Sequence, residues 1–185
     1  RCPDARYVVE KTPYNFSYIG VIRAALPGAR FIHCDRDPRD SCFSMYQRSF
    51  HAGDHLYAYN QLDLARFHHL YADLMDHWHR AYPDDIHRQS YEALVQDLEP
   101  GVRRLLDFVG LDFHEACLSP HENKRVVSTA SVNQVRQPLY TSSIGTWKPY
   151  KRSLEVLLAA LEAAPTDALH PDWSEAHISQ LTASE

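Results

Sequence analysis

The sequence has 185 residues, 44% of them hydrophobic, which is enough for one domain with a sizeable core. Its formal net charge of −5 argues against a general nucleic-acid binder, and no apolar run approaches the roughly 18 residues of a membrane span. The four cysteines (Cys2, Cys34, Cys42 and Cys117) have no regular spacing, which is typical of reduced thiols in a cytoplasmic protein.

The first 30 residues predict a short strand followed by a helix. Tyr7-Val8-Val9 is a β-prone run that leads directly to Lys11. Residues 12–25 predict a helix that ends before Pro27-Gly28, because apolar side chains recur near helical spacing at Phe16, Ile19, Ile22 and Leu26. Lys11 is therefore expected at a strand-to-helix junction.

Residues 29–48 predict a strand, a tight turn and a helix. Residues 30–34 are apolar and β-prone, Asp37-Pro38 is typical of a helix start, and residues 40–50 can continue as a helix. This layout presents backbone N–H groups and the positive end of a helix to an anion. The side chains of this stretch are therefore candidate anion ligands.

Three of these side chains suit a phosphate. Arg36 follows the predicted strand, and Ser44 and Arg48 lie one turn apart on the predicted helix. Two guanidinium groups and a hydroxyl that converge on one point can bind phosphate oxygens. The same stretch also fits a surface cluster of ion pairs, which would contribute little to stability.

The middle of the chain predicts a long helix, a strand and two further helices. Apolar residues between Leu62 and Trp78 form a helical stripe, and residues 86–91 predict a short strand that ends at Tyr91. Residues 92–109 predict two helices interrupted at Pro100-Gly101, the second of which ends at Gly110.

One helix face in this region also allows a metal site. His69, Asp73 and His77 follow one another at intervals of four residues, so they lie on the same face of the predicted helix. Histidine and carboxylate groups bind zinc. The alternatives are imidazole–carboxylate pairs on a solvated face and side chains that line an acceptor cleft.

The last third of the chain predicts mostly irregular structure. Residues 112–124 predict a loop with a helical turn at 115–118, and the Ser- and Thr-rich residues 126–150 predict a long loop, which is often functional. Residues 154–161 predict a closing amphipathic helix. We expect one domain over residues 1–161 and a loosely ordered tail over residues 162–185.

Four ordered sequence blocks resemble sulfotransferases that use 3′-phosphoadenosine-5′-phosphosulfate (PAPS). The run Arg-Asp-Pro-x-Asp-x-x-x-Ser, from Arg36 to Ser44, resembles the motif that binds the 3′-phosphate in this family. The other blocks are residues 10–15, residues 90–95 with 105–111, and residues 128–140 with 145–148. The variant that this sequence resembles most is the bacterial domain often attached to tetratricopeptide repeats, which is similar to the tyrosylprotein sulfotransferases.

The resemblance implies roles for nine residues. Lys11 and Ser131 match the catalytic lysine and the serine beside it. The nucleotide would be bound by Arg36, Ser44, Arg48, Tyr91, Arg136, Trp147 and Lys148. No metal is implied. The general base of the family has no counterpart that we can assign. In the tyrosylprotein type it is a glutamate upstream of the lysine segment, in a region that this sequence does not include, and the histidine that cytosolic members carry two residues after the lysine is Pro13 here.

The resemblance also implies an α/β fold of the P-loop NTPase type, with three α/β/α layers around a mostly parallel sheet. Nothing before Lys11 resembles the loop that binds the phosphosulfate, so we expect the chain to be truncated at its N-terminus. A repeat domain upstream in the full-length protein is a further expectation. The acceptor, which could be a peptide, glycan, lipid or small molecule, is not specified.

Two other functions remain open at this level. A nucleotide kinase-like protein could use the same arginines, although the sequence lacks Gly-Lys-Ser/Thr and a convincing magnesium aspartate. A catalytically incomplete sulfotransferase-like module could bind a nucleotide or a partner protein without turnover. Consumption of the donor distinguishes these functions.

Overall fold

A computed structural model describes residues 7–50, 55–123, 137 and 139–163. Within these residues two strands, β1 (Phe31–Asp35) and β2 (Ile86–Ser90), form a parallel pair in which Phe31 lies opposite Ile86. Parallel strands need a long crossover, which is supplied here by helical segments. The fold is therefore mixed α/β and rich in helices, while the three-layer arrangement remains a prediction.

In chain order, helices precede, separate and follow the two strands. The α-helices are α1 (Ile19–Ala25), α2 (Pro38–Tyr46), α3 (Gln61–Ala81), α4 (Tyr91–Gln96), α5 (Leu98–Val109) and α6 (Glu155–Glu162). Short 3₁₀ helices cover Pro13–Tyr18, Leu56–Tyr59, Glu115–Leu118, Pro120–Glu122 and Lys148–Leu154. The predicted strands at 30–34 and 86–91, and the predicted helices within 40–50, 62–78 and 154–161, are confirmed to within a few residues.

The start of α2 follows from its sequence. The Asp37 carboxylate accepts hydrogen bonds from the backbone N–H groups of Arg39 (2.8 Å) and Asp40 (3.4 Å). Pro38 occupies the first helical position, where a missing N–H has no cost. The helix ends at Tyr46, earlier than the predicted residue 50.

The sequence predicted a break between two helices at Pro100-Gly101. The structure places the break between α4 and α5 at Asp97 instead. Pro100 is tolerated because it lies in the first turn of α5. Gly101 allows the two helices to approach closely, since a Cβ there would lie 2.6 Å from Leu94 Cδ1. Gly110 ends α5 in the left-handed conformation (φ 71°), as predicted.

Of the two predictions for the first 25 residues, the strand is wrong, and the helix is confirmed in its extent but not in its single type. Residues 7–9 are not in a strand, and Val8 and Val9 are 86% and 88% exposed, so their apolar pattern has no sheet to pack on within the described residues. The single helix predicted over residues 12–25 is a 3₁₀ helix followed by α1.

The main core lies where α2, α3 and α6 meet. Its buried side chains are Cys42, Phe43, Leu64, Ala65, Leu154, Leu157, Leu158 and Ala160. A second cluster joins α1, α3 and β2 through Ile19, Met75 and Ile86. The long helix α3 contributes to both clusters, so it links the strand pair to the region around α2.

We expect Leu157→Ala to lower the free energy of unfolding by about 2–5 kcal/mol, because this side chain is 0% exposed and its loss leaves a cavity. Urea denaturation followed by circular dichroism measures the change. Leu70→Ala on α3, where the side chain is 51% exposed, is the control and should have a much smaller effect. Equal losses for the two variants would contradict this description of the core.

Burial of His33 predicts a dependence of stability on pH. His33 lies on β1, with Nδ1 2.9 Å from His79 Nε2 and Nε2 against the Tyr71 hydroxyl. Burial lowers the pKa of His33 to about 4, from 6.5. The unfolded chain therefore binds more protons between these values, so this contribution to stability is complete above pH 6.5 and is lost as the pH falls toward 4.

The measurement is the urea midpoint between pH 4 and pH 7. We expect the wild-type midpoint to fall with falling pH, and His33→Gln to flatten this dependence by up to one proton. His77→Gln, which changes an exposed histidine on α3, is the control and should keep the wild-type slope. A slope unaffected by His33→Gln would contradict the burial argument.

The described residues offer little support for the metal alternative. His69 Nε2 donates to the carbonyl oxygen of Ala160 (2.8 Å), which ties α3 to α6. No group of three or more His, Cys, Asp or Glu side chains in the described part of the chain is arranged to hold a metal ion. Cys34, Cys42 and Cys117 are free thiols. No described helix has both the length and the apolar character needed to cross a membrane.

Candidate functional site

A cavity of about 720 Å³ opens beside the carboxyl end of β1. Side chains from the end of β1, from α2, from the start of α4 and from the segment before α6 line it. They are Arg36, Phe43, Ser44, Gln47, Arg48, Tyr91, Tyr140, Ser143, Thr146, Pro149 and Tyr150. Two arginines and no carboxylate are among these described lining residues, so the cavity is positively charged although the chain is acidic.

Arg36 is held at the wall of this cavity. Its Nη2 donates to the carbonyl oxygen of Ser143 (2.6 Å), and its guanidinium carbon lies 5.1 Å from the centre of the Tyr91 ring. Its Nε is buried and has no hydrogen-bond partner among the described residues. Because a buried donor without a partner is costly, an acceptor bound beside Arg36 would be stabilised.

Ser44 and Arg48 add a hydroxyl and a second guanidinium to the same cavity. Ser44 lies on α2, and Arg48 lies just beyond its end, where its N–H donates to the Met45 carbonyl oxygen (3.0 Å). The three side chains proposed for phosphate binding therefore line one cavity. This proximity favours the anion site over a scattered surface cluster of ion pairs.

Aromatic rings form another part of the wall. Tyr91 lies at the start of α4, and Tyr140 and Tyr150 come from the segment before α6. The Tyr150 ring packs at 4.8 Å from the ring of Phe43 on α2. A ligand that combines an anionic group with a flat ring would find a partner for each part.

Asp40, to which sequence reasoning gave no role, lies next to the cavity wall without lining the cavity. Its side chain is 1% exposed, and its oxygens accept from the Gly145 N–H (2.6 Å), the Thr146 hydroxyl (2.9 Å) and the Trp147 N–H (3.4 Å). These contacts attach residues 145–147 to α2. The only signal in the sequence was its place within the Arg36–Ser44 motif.

Three other predicted residues that the structure describes, Lys11, Trp147 and Lys148, do not line the cavity. Trp147 packs against the main core, and the Arg39 guanidinium lies 4.7 Å from the centre of its ring. Lys148 is exposed and its side chain lies against Gly145. Lys11 is exposed and does not line the cavity. Ser131 and Arg136 lie outside the described residues, so the roles of all these residues remain predictions.

A second cavity of about 320 Å³ shares Arg36 with the first but has a different charge. Its lining includes four carboxylates, namely Asp35, Asp37, Asp76 and Glu92. Arg88 also lines it and is already paired with Asp35 at 2.7 Å. The excess of acidic groups disfavours a phosphate there, so the anion site is assigned to the first cavity.

A family model described as "Sulfotransferase family" matches residues 1–115. The chain belongs to the sulfotransferase family. The matched region includes the cavity residues Arg36, Ser44, Arg48 and Tyr91, as well as Lys11. The resemblance seen in the sequence blocks is thereby confirmed at the level of the family.

A protein of Aquifex aeolicus (strain VF5) that is described as uncharacterized is 35% identical to this sulfotransferase domain over 158 residues. The alignment covers 84% of this chain and 21% of the relative. The chain therefore spans about a fifth of the length of this curated relative.

Proposed function

We propose that this domain transfers a sulfuryl group from PAPS to an acceptor hydroxyl or amine. The observation that carries this proposal is the cavity that Arg36, Ser44 and Arg48 line together, beside which the buried Arg36 Nε lacks an acceptor among the described residues. A bound phosphate group would supply that acceptor and balance both guanidinium charges. Membership of the sulfotransferase family gives the class of chemistry.

The cavity also suits the rest of the donor. A volume of about 720 Å³ lies within the usual range of roughly 300–1,000 Å³ for ligand sites. Tyr91 and the other aromatic side chains of the wall offer faces on which a purine can stack. A donor with a 3′-phosphate and an adenine ring therefore matches both the charge and the aromatic surfaces of the site.

Positioning and electrostatics would do most of the work. Arg36, Ser44 and Arg48 would bind the 3′-phosphate and so fix the position of the donor. The sulfuryl group would pass to the acceptor oxygen or nitrogen as the S–O bond to the bridging oxygen breaks, adenosine 3′,5′-bisphosphate would leave, and the acceptor's proton would pass to solvent. Lys11, with Ser131 beside it, would stabilise negative charge on that bridging oxygen. Arg136, Trp147 and Lys148 would complete the nucleotide contacts.

The proposed activity is tested by the release of adenosine 3′,5′-bisphosphate from PAPS in the presence of pooled hydroxyl and amine acceptors. We expect release that depends on an acceptor and does not require added Mg²⁺. Consumption of ATP with Mg²⁺, but not of PAPS, would support the kinase-like alternative and contradict the proposal. Arg36→Ala supplies the inactive control.

A binding module without turnover is the second candidate function. The observation that favours it is the exposure of Lys11, which the described structure does not bring to the cavity. In that case the bisphosphate would bind but PAPS would not be consumed with any acceptor. Measurements of bisphosphate binding and of PAPS consumption therefore separate the transferase from the binding module.

A further inference from the structure

Asp40 carries a buried carboxylate whose hydrogen-bond donors lie in a distant part of the chain. A carboxylate that is 1% exposed is costly unless hydrogen bonds replace its water. Its donors lie more than 100 residues away in the chain, at Gly145, Thr146 and Trp147. The carboxylate therefore stabilises a non-local contact between α2 and the segment 143–147.

This segment forms part of the cavity wall. Ser143 and Thr146 line the cavity, and the Ser143 carbonyl oxygen accepts the 2.6 Å hydrogen bond from Arg36. Gly145 has a φ of 73°, a conformation that glycine adopts without strain. A continuous set of contacts thus leads from Asp40 through the segment to the guanidinium group at the site.

We propose that Asp40 is a positioning residue for the nucleotide site. Its carboxylate holds segment 143–147 against α2, and the segment in turn orients the Arg36 guanidinium toward the 3′-phosphate. This inference rests on the proposed function, since it assigns the 3′-phosphate to Arg36. It predicts that loss of the Asp40 contacts weakens recognition of the 3′-phosphate more than it weakens binding of the rest of the nucleotide.

The geometry explains why asparagine is an informative replacement. Oδ2 of Asp40 accepts from the Gly145 N–H, and Oδ1 accepts from the Thr146 hydroxyl and the Trp147 N–H. The backbone N–H groups of Gly145 and Trp147 can only donate hydrogen bonds and cannot accept them. Asparagine keeps the size of the side chain but has one oxygen, so its NH₂ group would face a backbone N–H.

Asp63→Asn provides a matched control. Asp63, like Asp40, lies in the first turn of a helix, but its carboxylate is exposed and is paired with Arg66 on the same helix. The chemical change and its place in the helix are the same in both variants. Asp63 differs in being exposed and in having no contact with the segment 143–147.

The experiment measures the affinity of each folded variant for adenosine 3′,5′-bisphosphate and for adenosine 5′-monophosphate by calorimetry. We expect Asp40→Asn to weaken binding of the bisphosphate by about tenfold and to reduce the ratio of the two affinities, while Asp63→Asn keeps both. Hydrogen exchange should show faster exchange of the Gly145 and Trp147 amides in Asp40→Asn only.

Three results would overturn the inference. The first is that Asp40→Asn binds both nucleotides with wild-type affinity. The second is an equal loss of affinity for both nucleotides, which indicates a merely structural role. The third is unchanged hydrogen exchange of the Gly145 and Trp147 amides. If Asp40→Asn does not fold, Thr146→Val removes one hydrogen bond to Asp40 and should reduce the same ratio about threefold. An unchanged ratio in Thr146→Val would then overturn the inference.

The proposed function can fail separately from this inference. Absence of any preference for the bisphosphate in the wild-type protein contradicts the assignment of the 3′-phosphate to Arg36. In that case hydrogen exchange at Gly145 and Trp147 still reports whether Asp40 holds the segment in place. The two failures are therefore distinguishable.

Discussion

Arg36→Ala is expected to lower the affinity for adenosine 3′,5′-bisphosphate about 100-fold and to remove the preference over adenosine 5′-monophosphate. The guanidinium lies in the cavity wall, and its buried Nε has no partner among the described residues. Truncation removes a charge-assisted contact, which is among the stronger polar interactions in proteins. Calorimetric titration of both nucleotides measures the loss.

Two further variants make this experiment specific. Arg80→Ala removes an exposed arginine near the end of α3 and should leave both affinities unchanged. Arg36→Lys keeps the charge but loses the planar fork, so we expect an intermediate affinity. Unchanged affinity in Arg36→Ala, with the fold verified by circular dichroism, would show that Arg36 does not bind the 3′-phosphate.

Lys11→Ala is expected to reduce turnover of PAPS about 100-fold while affinity for the bisphosphate changes little. Its proposed role is to stabilise charge that develops during transfer, and such contacts act mainly on the transition state. Lys11 is exposed and does not line the cavity, so we expect it to contribute little to the affinity for the nucleotide. Parallel measurements of turnover and of bisphosphate affinity test this separation.

The matched control for Lys11 is Lys151→Ala. Lys151 is also exposed, and it lies in the 3₁₀ helix Lys148–Leu154, outside the cavity lining. We expect its substitution to keep both turnover and affinity. Equal losses of turnover and affinity in Lys11→Ala would indicate a binding role and would contradict the proposed catalytic one.

Local sequence signals predicted the part of the site that is formed by adjacent residues. Asp37-Pro38 predicted the start of α2, and the β-prone run before it predicted β1. Because strand, turn and helix follow one another directly, Arg36 and Ser44 could be placed near each other from spacing alone. Gly110 likewise ended α5 at the predicted residue, since only its local conformation mattered.

The remaining features depend on contacts between distant residues. The hydrogen bonds of Asp40 to residues 145–147 join segments about 105 positions apart, which no periodic pattern reveals. The prediction of a strand at residues 7–9 is wrong because β-propensity reflects how well a side chain packs on a sheet. Val8 and Val9 are exposed in the described structure and have no such packing. The helix break predicted at Pro100 is wrong because proline is tolerated in the first turn of a helix, where Pro100 lies.

The central claim is that the cavity at the end of β1 recognises a 3′-phosphorylated adenosine nucleotide. Calorimetric titration of the wild-type chain with adenosine 3′,5′-bisphosphate, beside adenosine 5′-monophosphate, tests it most directly. We predict clear binding of the bisphosphate and at least tenfold weaker binding of the monophosphate, because Arg36, Ser44 and Arg48, which line the cavity, are proposed to bind the additional phosphate. Equal affinities, or no binding by the folded chain, would contradict the account.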